Sequence, residues 1–134
     1  MLTNVEHIGI AVKDILASNN LFTKLFNVAP YKSESVESEG VTTSFFKINS
    51  TKVELLEATN PDSAIAKFIE KRGEGIHHIA FEVDNILLEM QRLEEEGFVL
   101  LNKEPKQGAD NKLVCFLHPK GTNGVLIELC QERV

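Results

Sequence analysis

Ten residues near the start of the chain return, in altered form, 71 positions later. His7-Ile8-Gly9-Ile10-Ala11-Val12-Lys13-Asp14-Ile15-Leu16 aligns with His78-Ile79-Ala80-Phe81-Glu82-Val83-Asp84-Asn85-Ile86-Leu87, identical at His, Ile, Val, Ile and Leu. A second match follows in the same order. Lys52-Val53-Glu54-Leu55-Leu56 resembles Leu126-Ile127-Glu128-Leu129-Cys130 at an offset of 74. Two ordered matches point to two copies of one unit of about 60 residues. The constraint is strong, because whatever one copy folds into, the other repeats.

Periodicity reads each unit as strand, helix, then three strands. Residues 5–12 alternate and are rich in Val and Ile, the mark of a strand. Asp14 is placed to cap a helix over 15–27, with Phe22, Leu25 and Phe26 on one face. Strands are expected at 30–36, 41–48 and 52–57, with turns near Glu39-Gly40 and Asn49-Ser50. The second copy gives a strand at 76–83, a helix at 86–96 capped by Asp84, and strands at 98–102, 113–118 and 125–131. Between them, Asn60-Pro61-Asp62-Ser63 opens a linking helix over 63–72 that ends at Gly73. The expected organisation is one domain, 1–134, made of modules 1–58 and 76–134 joined by 59–75. The polar segment 102–112 is expected to be a surface loop.

Strand alternation sorts the side chains. His7, Gly9 and Ala11 share one face, opposite Ile8, Ile10 and Val12. His78, Ala80 and Glu82 oppose Ile79, Phe81 and Val83. Glu54 and Leu56 oppose Val53 and Leu55, and Glu128 and Cys130 oppose Ile127 and Leu129. The bulky aliphatic faces should meet the helices. The other faces carry His7, Glu54, His78 and Glu128, at matching positions of the two copies. Taken singly, a Glu within Val-Glu-Leu is more often a solvent-facing residue, and a lone His more often a hydrogen-bonded one. Four at repeat-equivalent positions read as a ligand set inside a cup. Two imidazoles and two carboxylates suit a divalent first-row metal without any thiolate. His77 points to the opposite face and reads as structural. His118, in His118-Pro119-Lys120, lies at a strand end.

Composition narrows the function classes. Lys+Arg total 14 against 20 Asp+Glu, a net charge of −6, which argues against a nucleic-acid binder. No apolar run approaches the ~20 residues that span a bilayer. Met1 to His7 show neither a basic nor an apolar signal region, so a cytoplasmic protein that binds no membrane is expected. The two cysteines, Cys115 and Cys130, sit in apolar strand-like runs and read as buried free thiols.

On these residues the chain resembles the vicinal oxygen chelate superfamily and, more narrowly, its methylmalonyl-CoA epimerase family. The resembling stretches are His7–Val12, Val53–Glu57, Ser63–Phe68, Gly75–Asp84, and Phe116–Lys120 running into Gly124–Leu129, nearly the whole chain. His77-His78-Ile79-Ala80 and His118-Pro119-Lys120 followed by Gly124-Val125-Leu126-Ile127-Glu128-Leu129 are the most specific. The resemblance implies an α+β fold of paired βαβββ modules, forming a curved mixed sheet around a metal cup. It implies His7, Glu54, His78 and Glu128 as ligands of a divalent ion, with cobalt, manganese, zinc or nickel all admissible. It implies inversion at C2 of an acyl-CoA substrate, with Glu128 as one catalytic carboxylate, and a homodimer. The family's second carboxylate stands three residues after a glycine. Here Thr43, after Gly40, holds that position, and threonine is no base at neutral pH. A different carboxylate or a metal-bound water is left for that role. Lys112 and Lys120, with Lys103 and Lys106, are expected near the phosphates of the CoA tail, and His118 is expected either to line the substrate pocket or to cap a turn.

A glyoxalase I-type lactoylglutathione lyase is the competing reading, because the His/Glu/His/Glu set resembles that enzyme's ligands at least as well as an epimerase's, and its chemistry also passes through a metal-held enediolate. A drug-sequestering binding module lacks such ligands. A ring-cleaving dioxygenase generally needs a longer chain with two His and one Glu.

Overall fold

A computed structural model describes residues 1–133. The fold is α+β with a mixed sheet of eight strands and three helices among the described residues. The chain divides into two compact units, His7–His77 and Met1–Glu6 together with His78–Val134.

The His7–His77 unit holds β2 (Lys32–Val36), β3 (Val41–Ile48), β4 (Thr51–Ala58) and the part of β1 (Leu2–Ala11) from His7 on, ordered β2-β3-β4-β1. β1 and β4 run parallel, with Gly9 opposite Glu54. β3 is antiparallel to β4, with Phe45 opposite Glu54. Helix α1 (Ile15–Phe26) starts where Asp14 accepts hydrogen bonds from the amides of Leu16 and Ala17, at 3.0 and 3.1 Å. Its Ile15, Phe22 and Phe26 pack on Ile10, Val12, Phe46, Val53 and Leu55. Helix α2 (Ala64–Arg72) is capped by Ser63, which accepts from the Ala66 amide at 3.1 Å. Its Ile65, Phe68 and Ile69 cover Ala11, Val36, Val41, Leu56 and Ala58.

The two helices therefore cover opposite faces of this sheet. That differs from the simple expectation that the helices take only the bulky aliphatic face. α2 lies on the His7–Glu54 face, but at its far end, where Ala11 and Leu56 leave room for it. Gly40, at the β2–β3 turn, has φ 65°, and a Cβ there would meet Asn60 Nδ2 at 2.6 Å and Ser63 Cβ at 2.9 Å. The turn is thus locked against the cap of α2.

The other unit holds β6 (Lys106–Gln107), β7 (Lys112–Leu117), β8 (Ile127–Glu132) and the part of β5 (Gly75–Val83) from His78 on, ordered β5-β8-β7-β6. β5 and β8 run parallel with Ala80 opposite Glu128, and Phe116 of antiparallel β7 faces Glu128 from the other side. Helix α3 (Ile86–Glu95) buries Ile86, Met90 and Leu93 against Val83, Cys115, Leu117 and Leu129.

Two expectations are corrected here. The cap of α3 is Asn85, whose side chain accepts from the Leu88 amide at 3.1 Å; Asp84 instead pairs with the N-terminal amine at 3.1 Å. The capping oxygen must sit on the residue just before the first helical one, and the offset of 71 from Asp14 marks that residue as Asn85. The strand expected at 98–102 is reduced to one bridge, Leu100 to Leu117. The Asn102 side chain takes over the ladder, accepting from the Phe116 amide at 3.0 Å and donating to the Val114 carbonyl at 3.2 Å. The short strand β6 forms instead, inside the segment expected to be loop.

Candidate metal-binding residues

Parallel pairing fixes the chemistry of the first unit. Gly9 lies opposite Glu54, so His7, two residues earlier on the same face, reaches its carboxylate. His7 Nδ1 is 3.2 Å from Glu54 Oε2, and both residues are about one-twentieth exposed (5% and 4%). The second unit repeats this with Ala80 opposite Glu128. His78 Nε2 is 3.2 Å from Glu128 Oε1, and both are again buried. In both units the residue directly opposite the carboxylate is Gly or Ala, so nothing bulky crowds the pair.

Aromatic rings flank each pair. Phe45 and Phe116 stand on the strands next to Glu54 and Glu128, at the same offset of 71. The Phe116 ring meets His78 edge-on at 5.9 Å between centroids. A lysine ammonium caps each ring, Lys32 at 4.7 Å over Phe45 and Lys106 at 5.5 Å over Phe116. The sequence reading passed over these pairs, though Phe45 and Phe116 carry the repeat spacing that could have shown them.

Imidazole nitrogens and carboxylate oxygens, held in buried surroundings, form a donor set that borderline divalent ions accept. Leaving carboxylates this deeply buried without a cation nearby is costly. The residues present therefore fit a metal.

The other expected residues fall as follows. His77 points away from the ligand face and meets the Phe68 ring edge-on at 5.0 Å; burial pushes its pKa down to about 4, so it is a neutral packing residue. His118 caps the turn Pro119–Thr122, its Nδ1 accepting from the Lys120 amide at 3.1 Å. Lys120 is exposed. Lys112 is buried, with Nζ 3.9 Å from Glu6 and 3.6 Å from Glu132. Thr43 is fully buried, and its hydroxyl has no hydrogen-bond partner among the described residues.

Cys115 and Cys130 are free and fully buried. Burial pushes the Cys115 thiol up to about 11. A disulfide reagent at pH 8 should find no reactive thiol in the native protein and two per chain after unfolding. Rapid native labelling would contradict the burial.

Comparison with known proteins matches this architecture. The model of the glyoxalase/bleomycin resistance protein/dioxygenase superfamily matches residues 6–116. An ethylmalonyl-CoA/methylmalonyl-CoA epimerase of Cereibacter sphaeroides is 41% identical over 133 residues, covering 98% of this chain and 99% of that protein. The human mitochondrial methylmalonyl-CoA epimerase is 37% identical, covering 97% of this chain and 74% of its own length. A variant of the Streptomyces coelicolor methylmalonyl-CoA epimerase, solved in complex with 2-nitronate-propionyl-CoA, superposes with a TM-score of 0.96 at 34% identity, over 100% of this chain and 97% of that one. The chain belongs to the glyoxalase/bleomycin resistance protein/dioxygenase superfamily and, within it, to the methylmalonyl-CoA epimerase family.

Proposed function

We propose that the protein is a metal-dependent epimerase that inverts C2 of methylmalonyl-CoA. The carrying observation is the repeated buried His–Glu pair, in the same parallel register in both units, in a chain of the epimerase family. In this reading His7 and Glu54 of one repeat, and His78 and Glu128 of the other, hold one divalent ion, whether cobalt, manganese, zinc or nickel. The chain acts as a single domain of two βαβββ modules, 1–58 and 76–134, linked by 59–75.

The chemistry follows from the substrate. C2 of methylmalonyl-CoA lies between a thioester and a carboxylate, so removing its proton places negative charge on the thioester oxygen. A bound divalent ion supplies the Lewis acidity that stabilises that charge. The chain does the rest. His7 and His78 would present ring nitrogens to the ion, and Phe45 and Phe116 keep the neighbourhood dry, which strengthens each electrostatic contact. Glu128 serves as one acid/base for C2, a role worth roughly 10²–10⁴-fold in rate when well placed.

Lesser substrate contacts are assigned to His118, Lys120 and Lys112. Lys112 would meet a phosphate by exchanging its exposed partner Glu132, whose side chain is 72% accessible. No helix among the described residues is long and apolar enough to cross a membrane. A cytoplasmic homodimer completes the reading. Leu16, Leu21 and Leu25 of α1 stand exposed, apolar surface of the kind that second copies cover.

The donor set also suits a glyoxalase I-type lyase acting on a glutathione hemithioacetal, so the test compares the two. The metal-loaded protein should convert one epimer of methylmalonyl-CoA to a mixture of both, and leave the hemithioacetal untouched. Turnover of the hemithioacetal with no epimerisation would overturn the assignment.

A further inference from the structure

The peptide bond before each candidate ligand histidine is where the chain passes from one compact unit to the other. Met1–Glu6 belong with His78–Val134, and His7–His77 form the other unit. The residues before the two histidines, Glu6 and His77, are 71 positions apart, like the histidines themselves. We propose that Glu6 and Lys112 form a buried anchor that sets the position of His7 as a metal ligand; this rests on the metal-dependent reading above. Both are positioning residues, acting through His7 and not on the substrate.

The anchor lies within one unit. Glu6 is 4% exposed and Lys112 6%. Lys112 Nζ is 3.9 Å from Glu6 Oε2 and 3.6 Å from Glu132 Oε1. The Glu132 side chain reaches solvent, so Glu6 is the buried half of this pairing. Lys112 is not the sole contact of Glu6, and it shares in holding that carboxylate.

The repeat marks Lys112 as a departure. Its counterpart 71 positions earlier is Val41, buried in the apolar cluster with Ala11, Leu56 and Ile65. A lysine at a position that valine fills in the other copy has its ammonium taken out of water. That is costly unless a carboxylate meets it. Glu6 is the buried carboxylate that does. The other copy fixes its residue by packing: His77 meets the Phe68 ring edge-on at 5.0 Å, inside the His7–His77 unit. Each ligand histidine therefore follows a residue fixed in the unit that the chain is leaving.

Consecutive residues of a strand point to opposite faces. Rotating β1 about its axis at Glu6 therefore also moves the His7 ring. Holding the Glu6 carboxylate fixes that rotation one residue from the imidazole. A metal site needs its ligands held to within about 0.5 Å, and releasing Glu6 removes one of the holds.

The test titrates cobalt(II) into metal-free protein without substrate, well below the melting point of every variant. Lys112→Met, which keeps the apolar stem, and Glu6→Gln should each bind cobalt ~10–100-fold more weakly and alter its visible band. The double variant, which leaves no unpaired charge, should bind no more weakly than the weaker single one, and it serves where a single variant fails to fold. Glu132→Gln, which changes only the exposed contact, should bind like the parent. A merely structural pair would lower melting and leave cobalt affinity and band as they are; affinities within about twofold of the parent would therefore overturn the proposal. Losses that multiply in the double variant would overturn it too, because the two residues would then act separately. A parent protein that binds no cobalt would instead defeat the metal-dependent reading. In that case the His7 ring signals of the metal-free protein, read by NMR, still decide the anchor: they should shift in Lys112→Met, and unmoved signals would overturn it.

Discussion

Replacing His78 with alanine will cost the protein its ion and about 10³-fold or more of its epimerase activity. His78 is 6% exposed and sits 3.2 Å from Glu128, so no solvent-borne donor takes its place easily. Partners that merely orient ligands change metal affinity by ~10–100-fold when removed, and a direct ligand should exceed that. Losing one preorganised electrostatic contact to a developing oxyanion typically costs ~10²–10³ in rate, before metal loss is added. The substitution also leaves Glu128 buried beside an empty space, so the variant should melt lower than the parent even in chelator. Metal analysis after gel filtration, with the rate assay alongside, checks both effects. Unchanged metal content together with unchanged rate would remove His78 from the centre.

The second large effect is on stability. Phe46 is fully buried in the first unit, its ring 5.4 Å from Phe26 and 6.4 Å from Phe22. It joins α1 to the sheet with Val12 and Leu55. Phe46→Ala removes the burial and those ring contacts and leaves a cavity, worth about 3–5 kcal/mol. For a chain of this size that is a fall in Tm of roughly 10–20 °C. Leu87→Ala, at a site 64% exposed, is the control and should stay within about 0.5 kcal/mol of the parent. Equal melting of the two variants would mean that the Phe46 cluster is not the core of its unit.

Much of this was legible from the repeat. A strand has period two, so aligning His7 with His78 and Glu54 with Glu128 also aligned their faces and their neighbours. The parallel registers, Gly9 to Glu54 and Ala80 to Glu128, realise that alignment residue by residue. What periodicity does not carry is long-range placement. It marks the apolar stripe of α2 but does not say that the stripe lies over Ala11 and Leu56, on the ligand face. It marks residues 98–102 as strand-like but does not reveal that Asn102 bonds the ladder with its side chain.

The account stands on the His–Glu pairs of the two repeats serving one ion. Cobalt(II) titration of the metal-free protein, followed by visible absorption, reads this most directly. One equivalent should bind per chain, and His7→Ala and His78→Ala, one from each repeat, should each abolish that same band. Two equivalents per chain, with each variant losing only one, would show separate sites and contradict the account.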